Sequence, residues 1–314
     1  MKAQLIEEYG DANQFVYKEI PKPKAANNQV LVKIKACSVN PIEWKIRSGA
    51  LKWIYRIQLP AILGSDLSGT VDAVGKEVRS LKVGDAVYTC SPKKTGEAYA
   101  QWIALEETTV SVKPTSMNFK EAASVPLAAM TALQALRDKG GIQPGDQVLI
   151  IGASGGVGMF AVQIAKIFGA HVTSVCSTAN VEFVKKLGSD EVIDYRQSSP
   201  FAGKQKYNII FDCVAAHSYS RVKSNLTPNG IYISTLPSLS LLINSVITRF
   251  TTKKAKKILL KKNKVDLDQI TQFIDEKKLK THIDSEFNLE NLALAHQRSE
   301  SSKAVGKIIV SVEH

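Results

Sequence analysis

The stretch from Val148 to Gly158, VLIIGASGGVG, runs from an unbroken apolar segment straight into a glycine-rich turn. Behind the turn, Val157, Phe160, Ala161, Ile164, Ala165 and Phe168 recur at the spacing of one helix face. Strand, glycine turn and helix in that order make a corner suited to a dinucleotide pyrophosphate. Glycines let the backbone approach the phosphates, and the first N–H groups of the helix point at them with the helix dipole behind. In the G-x-G-x-x-G frame the chain reads Ala153-x-Gly155-x-x-Gly158, with Gly152 and Gly156 in addition. Alone, such a corner is also an ordinary strand-to-helix turn, so its meaning depends on the rest of the chain.

Around it the pattern alternates. Strands are predicted over 171–177, 191–195, 207–214 and 231–236, and helices over 181–187 and 218–226. Apolar strands without alternation, separated by helices, predict a parallel sheet covered on both faces, a doubly wound α/β domain. The first third reads differently. Short strands at 2–8, 15–20, 30–36, 67–74, 83–89 and 99–105, punctuated by Gly64, Gly69, Gly75 and Gly84, predict a small irregular β-barrel. Residues 119–136 read as one helix rich in alanine. Beyond the sheet, the pattern predicts a helix over 241–250, a basic strand including 258–260, and a helix capped by Asp266 and running to Lys277. Strands at 281–287 and 305–312 flank a helix at 289–298, and they are expected to return to the first domain. A chain of 314 residues is long enough for two cores.

Four cysteines, at 37, 90, 176 and 213, are scattered with no C-x-x-C pair, which predicts neither a disulfide framework nor a cysteine-rich metal lobe. With no apolar signal core in the first residues and no run long enough to span a bilayer, a cytoplasmic location is expected. The 41 Lys and Arg exceed the 29 Asp and Glu, for a formal net charge of +12. Much of the excess lies between Arg249 and Lys264, where no acid interrupts Lys253, Lys254, Lys256, Lys257, Lys261 and Lys262. No nucleic-acid motif or aromatic series accompanies this run, so no nucleic-acid partner is expected. An anionic membrane surface stays open as a partner for 249–264.

Several motifs occur together and in order: SVNPIEWKIRSG (38–49), GSDLSG (64–69), KVGD (82–85), PLAAMTALQAL (126–136), the glycine turn with QIAK (163–166), VIDY (192–195) and GKIIV (306–310). Over essentially the whole chain they resemble the zinc-free quinone oxidoreductase type of the medium-chain dehydrogenase/reductase superfamily. The branch most similar holds the chloroplast-envelope quinone oxidoreductase homologues. The resemblance implies a GroES-like β-barrel catalytic domain at 1–122, with 280–314 returning to it, and a Rossmann dinucleotide-binding domain at 123–279. In zinc members of the superfamily two cysteines and a histidine hold the catalytic metal. By motif position Asn40, Ser65 and Leu127 stand there instead, and none supplies the thiolates or imidazole that zinc prefers. No zinc is therefore expected.

The resemblance also implies site residues. The cofactor would lie on Ala153, Ser154, Gly155, Gly156, Val157 and Gly158, with Thr131 beside the nicotinamide end and Cys213 and Val214 at the carboxyl edge of the sheet. The strand after the glycine turn ends Val175-Cys176-Ser177-Thr178-Ala179-Asn180, with no acid before Glu182. Lacking the carboxylate that takes the ribose hydroxyls in NAD-binding units, it predicts NADPH rather than NADH, on Ser177, Asn180 and Tyr195. Many relatives carry Arg or Lys in this loop, and this chain does not. Asn40 is expected to hydrogen-bond substrate or cofactor in the cleft. Lys45 is expected either to polarise the substrate carbonyl or to bond the nicotinamide ribose, a surface lysine being the alternative. Trp44, Trp53 and Tyr55 are candidates for lining an apolar cleft.

The expected activity is NADPH-dependent, zinc-independent hydride transfer to a small electrophile, a quinone or the β-carbon of an α,β-unsaturated carbonyl. Two alternatives stay open: reduction of another activated alkene such as a haloacrylate or enoyl thioester, and a non-catalytic NADPH-binding protein at a membrane surface. Relatives dimerise through edge strands of the Rossmann domain, but a homodimer of this chain would bring its basic edge segment against itself.

Overall fold

The computed structural model describes residues 1–236 and 238–314. The chain divides into two compact units, 1–127 with 262–277 and 281–314, and 128–261 with 278–280. In chain order the first unit opens with β1 (Lys2–Ile6), β2 (Phe15–Glu19), β3 (Gln29–Val39), α1 (Pro41–Arg47), β4 (Ala61–Ile62) and β5 (Asp66–Val74). It continues through β6 (Ala86–Cys90), β7 (Trp102–Glu106), β8 (Ser111–Val112) and α2 (Phe119–Ala123). After α3 (Pro126–Gln134), the second unit runs β9 (Gln147–Ile151), α4 (Gly156–Ile167), β10 (His171–Cys176), α5 (Val181–Lys186) and β11 (Glu191–Asp194). It ends with β12 (Tyr207–Asp212), α6 (Tyr219–Val222), β13 (Leu226–Ser234), α7 (Leu239–Ile247) and β14 (Lys254–Lys257). Then α8 (Lys264–Asp275), β15 (Ile283–Asn288), α9 (Leu292–Glu300) and β16 (Lys307–Ser311) follow.

In the first unit β3 is the spine. It pairs with β5, β7 and β16, all antiparallel, in a sheet ordered β15-β16-β3-β5-β6-β8, and β2-β1-β4 form a smaller one. The final strand thus returns to the first domain, Ile308 opposite Val39 and Ser311 opposite Ala36. Val32, Ile34, Leu63, Leu67, Val87, Ile103 and Val310 meet in its core. The second unit is a six-stranded parallel sheet ordered β11-β10-β9-β12-β13-β14, the third-second-first-fourth-fifth-sixth order of a dinucleotide-binding sheet. Val148, Leu149 and Ile150 are all fully buried, as a strand covered on both faces requires.

Four expectations change. The helix predicted over 119–136 is two helices: Pro126 has no N–H to donate back into α2, so α2 closes at Ser124 and α3 starts afresh. The basic strand ends at Lys257, before Ile258–Leu260, because its neighbour β13 ends at Ser234, which pairs with Lys257. The cap of α8 is Asn263, whose Oδ1 accepts from the N–H of Asp266 at 2.8 Å, and not Asp266 itself. Finally, 262–277 falls in the barrel unit rather than in 123–279, and the first division comes after Leu127 rather than at 122. The reason lies in side chains of the barrel: the Tyr88 hydroxyl donates to the Leu267 carbonyl (3.0 Å) and meets the Thr271 hydroxyl at 2.7 Å, while Asp275 accepts from the Thr115 N–H at 3.1 Å.

Candidate active site

The glycine corner of the second unit is built as the sequence suggests, but its glycines do different things. Gly152 has φ +78, and a Cβ there would stand 2.7 Å from Val214 Cγ1. A Cβ at Gly158 would stand 2.1 Å from the Gly152 carbonyl oxygen, so Gly158 lets α4 pack against the turn. Gly155 is different. The nearest atom to a Cβ there is 3.5 Å away, and its φ of −81 suits any residue. That open space beside the N-terminus of α4 is where a phosphate can come close to backbone. The N–H groups of the first turn have no partner within the helix and face that space. Gly152 and Ala153 are tied down, both N–H groups donating to the Val175 carbonyl at 3.1 Å. Ser154, Gly155, Gly156 and Val157 are partly exposed, whereas Ala153 is buried. The corner fits a dinucleotide.

Beyond it, the Asn180 amide donates to Ser154 Oγ at 2.9 Å, so two residues 26 apart in sequence meet at the corner. Ser177 is half-buried at the end of β10, and Tyr195 is exposed beside it, its N–H donating to the Cys176 carbonyl at 3.1 Å. A carboxylate does stand here, that of Asp194 at the end of β11. It accepts from the Thr178 hydroxyl at 2.6 Å and the Arg196 N–H at 3.0 Å. Those bonds hold its pKa below the usual carboxylate range and keep it ionised. On the other side, the Cys213 N–H donates to the Ile151 carbonyl at 3.1 Å and Val214 lies over Gly152, half-exposed. Buried Asp212 holds this loop, accepting from the N–H groups of Val214 (3.2 Å), Ala216 (3.1 Å) and His217 (2.8 Å). A small cavity of about 40 Å³ follows, lined by His217, Ser218, Tyr219, Tyr232, Ser234 and Ser238 among others. Thr131 is buried within α3. Burial raises both thiols, that of Cys176 to about 11 and that of Cys213 well above its ordinary value, so both stay protonated.

In the first unit Asn40 belongs to a buried polar cluster. Its amide donates to Asp66 Oδ2 at 3.0 Å and Glu43 Oε1 at 3.3 Å, and its oxygen accepts from the Lys307 ammonium. With both amide hydrogens engaged inside the chain, Asn40 positions its neighbours and has no donor left for substrate. Asp66 also accepts from Ser38 Oγ (3.0 Å), from Lys307 Nζ (3.4 Å) and from the Leu127 N–H (2.8 Å). Glu43 accepts from the N–H groups of Asn40 (2.7 Å) and Ser65 (2.8 Å) and from the Tyr99 hydroxyl at 2.5 Å. Burial pushes the Glu43 carboxyl up, against those bonds and the Lys307 charge, which pull it down. His296 Nε2 meets the Tyr99 hydroxyl at 3.1 Å, and its Nδ1 has no partner. Burial drives its pKa well down, so the ring is neutral.

These are the three positions a zinc site would use, and the donor set does not fit. Leu127 has no donor. Asn40 is occupied, and the ammonium of Lys307 stands among the oxygens a cation would bind. Among the described residues, no three His, Cys, Asp or Glu side chains are grouped as metal ligands. Sequence reasoning missed Glu43, Tyr99, His296 and Lys307. Two signals were readable: Asn40-Pro41-x-Glu43 is a helix-start pattern with its carboxyl three residues on, and Lys307 heads an apolar strand. Nothing local pointed to Tyr99 or His296.

Lys45 lies on α1, half-buried, its ammonium 5.3 Å from the Trp44 ring centroid and without a carboxylate partner. Burial lowers its pKa, which makes it a better proton donor than an ordinary lysine. The adjacent Trp44 indole N–H is buried without a partner. Trp53 is 88% exposed and lines nothing. The Tyr55 hydroxyl donates to the Lys94 carbonyl, near an open groove of about 400 Å³ bordered by Ile57, Gln58, Pro60, Lys94, Thr95 and Glu97. None of the residues expected to bind substrate or cofactor borders that groove.

Comparison with known proteins agrees with this construction. The alcohol dehydrogenase GroES-like domain family matches residues 26–135, and the zinc-binding dehydrogenase family matches 187–310. The chain is 34% identical to the chloroplast envelope quinone oxidoreductase homolog of Arabidopsis thaliana, covering 96% of this chain and 95% of that protein. It is 30% identical to the 2-methylene-furan-3-one reductase of Solanum lycopersicum, over 99% of this chain and 79% of that one. The solved quinone oxidoreductase of Coxiella burnetii superposes with a TM-score of 0.89 at 30% identity, covering 100% of this chain and 99% of that one.

Proposed function

Because the chain belongs to the medium-chain dehydrogenase/reductase superfamily and is an NAD(P)H-dependent oxidoreductase, we propose that it is a zinc-independent, NADPH-dependent reductase of quinones or of α,β-unsaturated carbonyls. When bound, the reduced nicotinamide supplies the hydride. The chain's own residues do the rest. Gly155 and the start of α4 leave room for the pyrophosphate. Val214 and the loop held by Asp212 border the corner beside Gly152. Ser177, Asn180 and Tyr195 offer neutral donors for a 2′-phosphate, and this is the observation that carries the NADPH reading. The Asp194 carboxylate beside them has oxygens already engaged by the Thr178 hydroxyl and the Arg196 N–H. Lys45 supplies a proton from Nζ to the substrate oxygen as negative charge builds there, or bonds the nicotinamide ribose. Reduction of an activated double bond needs positioning and charge stabilisation more than a Lewis acid, which suits a cluster that holds Lys307 where a metal would be. The names of two relatives, a quinone oxidoreductase homolog and a furanone reductase with an exocyclic alkene, support the same electrophile class.

The test is a panel of quinones, short enals, enones and a crotonyl thioester, each with NADPH or NADH, followed by loss of reduced-nicotinamide absorbance. Turnover with a quinone or enone, faster with NADPH, is expected. Turnover confined to the thioester selects the activated-alkene alternative, and oxidation of NADH alone overturns the cofactor assignment.

A further inference from the structure

A surface helix ordinarily turns its apolar side inward and its polar side to solvent. On α7 the order is reversed. Leu239 is 74% exposed and Phe250, in the helical turn that continues α7, is 91% exposed, with Ile243, Val246 and Ile247 each more than half exposed between them. Their spacing of four, seven, eight and eleven residues from Leu239 puts all five within an arc of about 100°. The inward face carries only Leu241 and Thr248 as buried residues. An apolar stripe of this kind, aimed outward, marks a contact surface.

The charge around it is one-sided. Arg249 lies within the stripe's final turn, and Lys253, Lys254, Lys256 and Lys257 follow directly. Lys254 Nζ donates to the Arg249 carbonyl at 3.0 Å, which fixes a cation at the C-terminal end of the helix. Lys253 and Lys256 likewise donate to carbonyls, of Lys223 at 2.8 Å and Lys139 at 2.7 Å. Carbonyls orient these ammonium groups without cancelling them, and none of the five cations pairs with a carboxylate. We propose that α7 and the basic segment after it dock on an anionic phospholipid bilayer, the five apolar side chains entering the headgroup boundary and Arg249, Lys253 and Lys254 facing lipid phosphates. A second copy of this chain is disfavoured as the occupant. Antiparallel pairing through the β14 edge would set Lys254, Lys256 and Lys257 against the same residues of its partner.

Flotation of the full chain with phosphatidylcholine vesicles, with and without phosphatidylserine, tests this. Wild type is expected to float with the phosphatidylserine vesicles only, and raised salt is expected to release it. Ile243→Ser with Phe250→Ser should weaken binding at least about tenfold, and Lys253→Gln with Lys254→Gln about fivefold for each charge. All four positions lie outside the dinucleotide corner, so unchanged melting temperature and unchanged NADPH titration identify intact variants. The proposal is overturned if wild type stays unbound or if intact variants float as well as wild type. It is also overturned if sedimentation gives a dimer that Phe250→Ser dissolves while no vesicle is bound, since the face would then be covered by a second copy.

Discussion

At the scale of single residues, the glycine corner makes a contrast that a motif alone cannot. Gly158→Ala forces a Cβ to 2.1 Å from a backbone oxygen that has no room to yield, and should cost about 1–3 kcal/mol in chemical denaturation. Gly155→Ala meets nothing closer than 3.5 Å and should leave stability within about 0.5 kcal/mol. It should nevertheless weaken NADPH binding about tenfold or more in a fluorescence titration, because its Cβ fills the phosphate space. Equal stability losses in the two variants would contradict this division of labour. Lys45, lowered in pKa by burial and free of any carboxylate, is expected to matter for turnover. Lys45→Ala should lower kcat about 100-fold at saturating cofactor. A rise in the KM for NADPH with kcat spared would instead assign the residue to the ribose.

At the scale of elements, what matters is how loops are held at the carboxyl edge of the parallel sheet. The loop after β12 depends on one carboxylate that accepts from three backbone N–H groups. Asp212→Asn replaces an acceptor oxygen by a donor among those N–H groups, and should cost about 1–3 kcal/mol in stability. Because Val214 is carried by this loop, NADPH affinity should fall too, and a variant that melts like wild type and binds NADPH normally would refute the role. Elements were largely legible in the sequence where apolar periodicity was strong, as in β9, α4 and β10. They were misread where one residue type overrode it: Pro126 cut an alanine-rich helix, and the end of β13 cut a basic strand that composition alone would have prolonged.

At the scale of the whole molecule, buried titratable groups tie stability to pH. Below its ordinary value of 6.5 the unfolded chain's His296 takes up a proton that the buried, neutral ring refuses. Stability should therefore fall as pH drops below about 6.5 and be flat above it for this group, with a slope of up to about 1.4 kcal/mol per pH unit. Glu43, raised by burial, opposes this at lower pH: the folded carboxyl keeps a proton that the unfolded chain releases once pH rises past about 4.5. His296→Phe, which retains packing against the Phe15 ring 4.7 Å away, should flatten the loss of melting temperature between neutral pH and about pH 5.5. The cofactor assignment has its own global readout. NADPH at a hundred times its dissociation constant should stabilise the fold by about 2.7 kcal/mol, and NADH at the same concentration by clearly less. An equal shift would remove the NADPH preference.

Apolar periodicity and glycine placement determined, by themselves, that this chain holds a doubly wound sheet with a glycine corner and a separate barrel, while the accompanying motifs gave that corner its dinucleotide reading. Both signals are local, since a strand covered on two faces must be apolar throughout and a turn with positive φ favours glycine. The residue types at 40, 65 and 127 likewise gave the expectation of a zinc-free site, since Asn, Ser and Leu supply neither thiolate nor imidazole. Only the tertiary structure decided what Asn40 does. Its neighbours Asp66 and Lys307 lie 26 and 267 residues away, and hydrogen-bond saturation depends on distance in space. For the same reason Asn180 meets Ser154, and Tyr99 links His296 to Glu43, only once the sheets have formed. The outward turn of α7 was also a tertiary decision, because the same spacing would equally have described a helix with its apolar face inward.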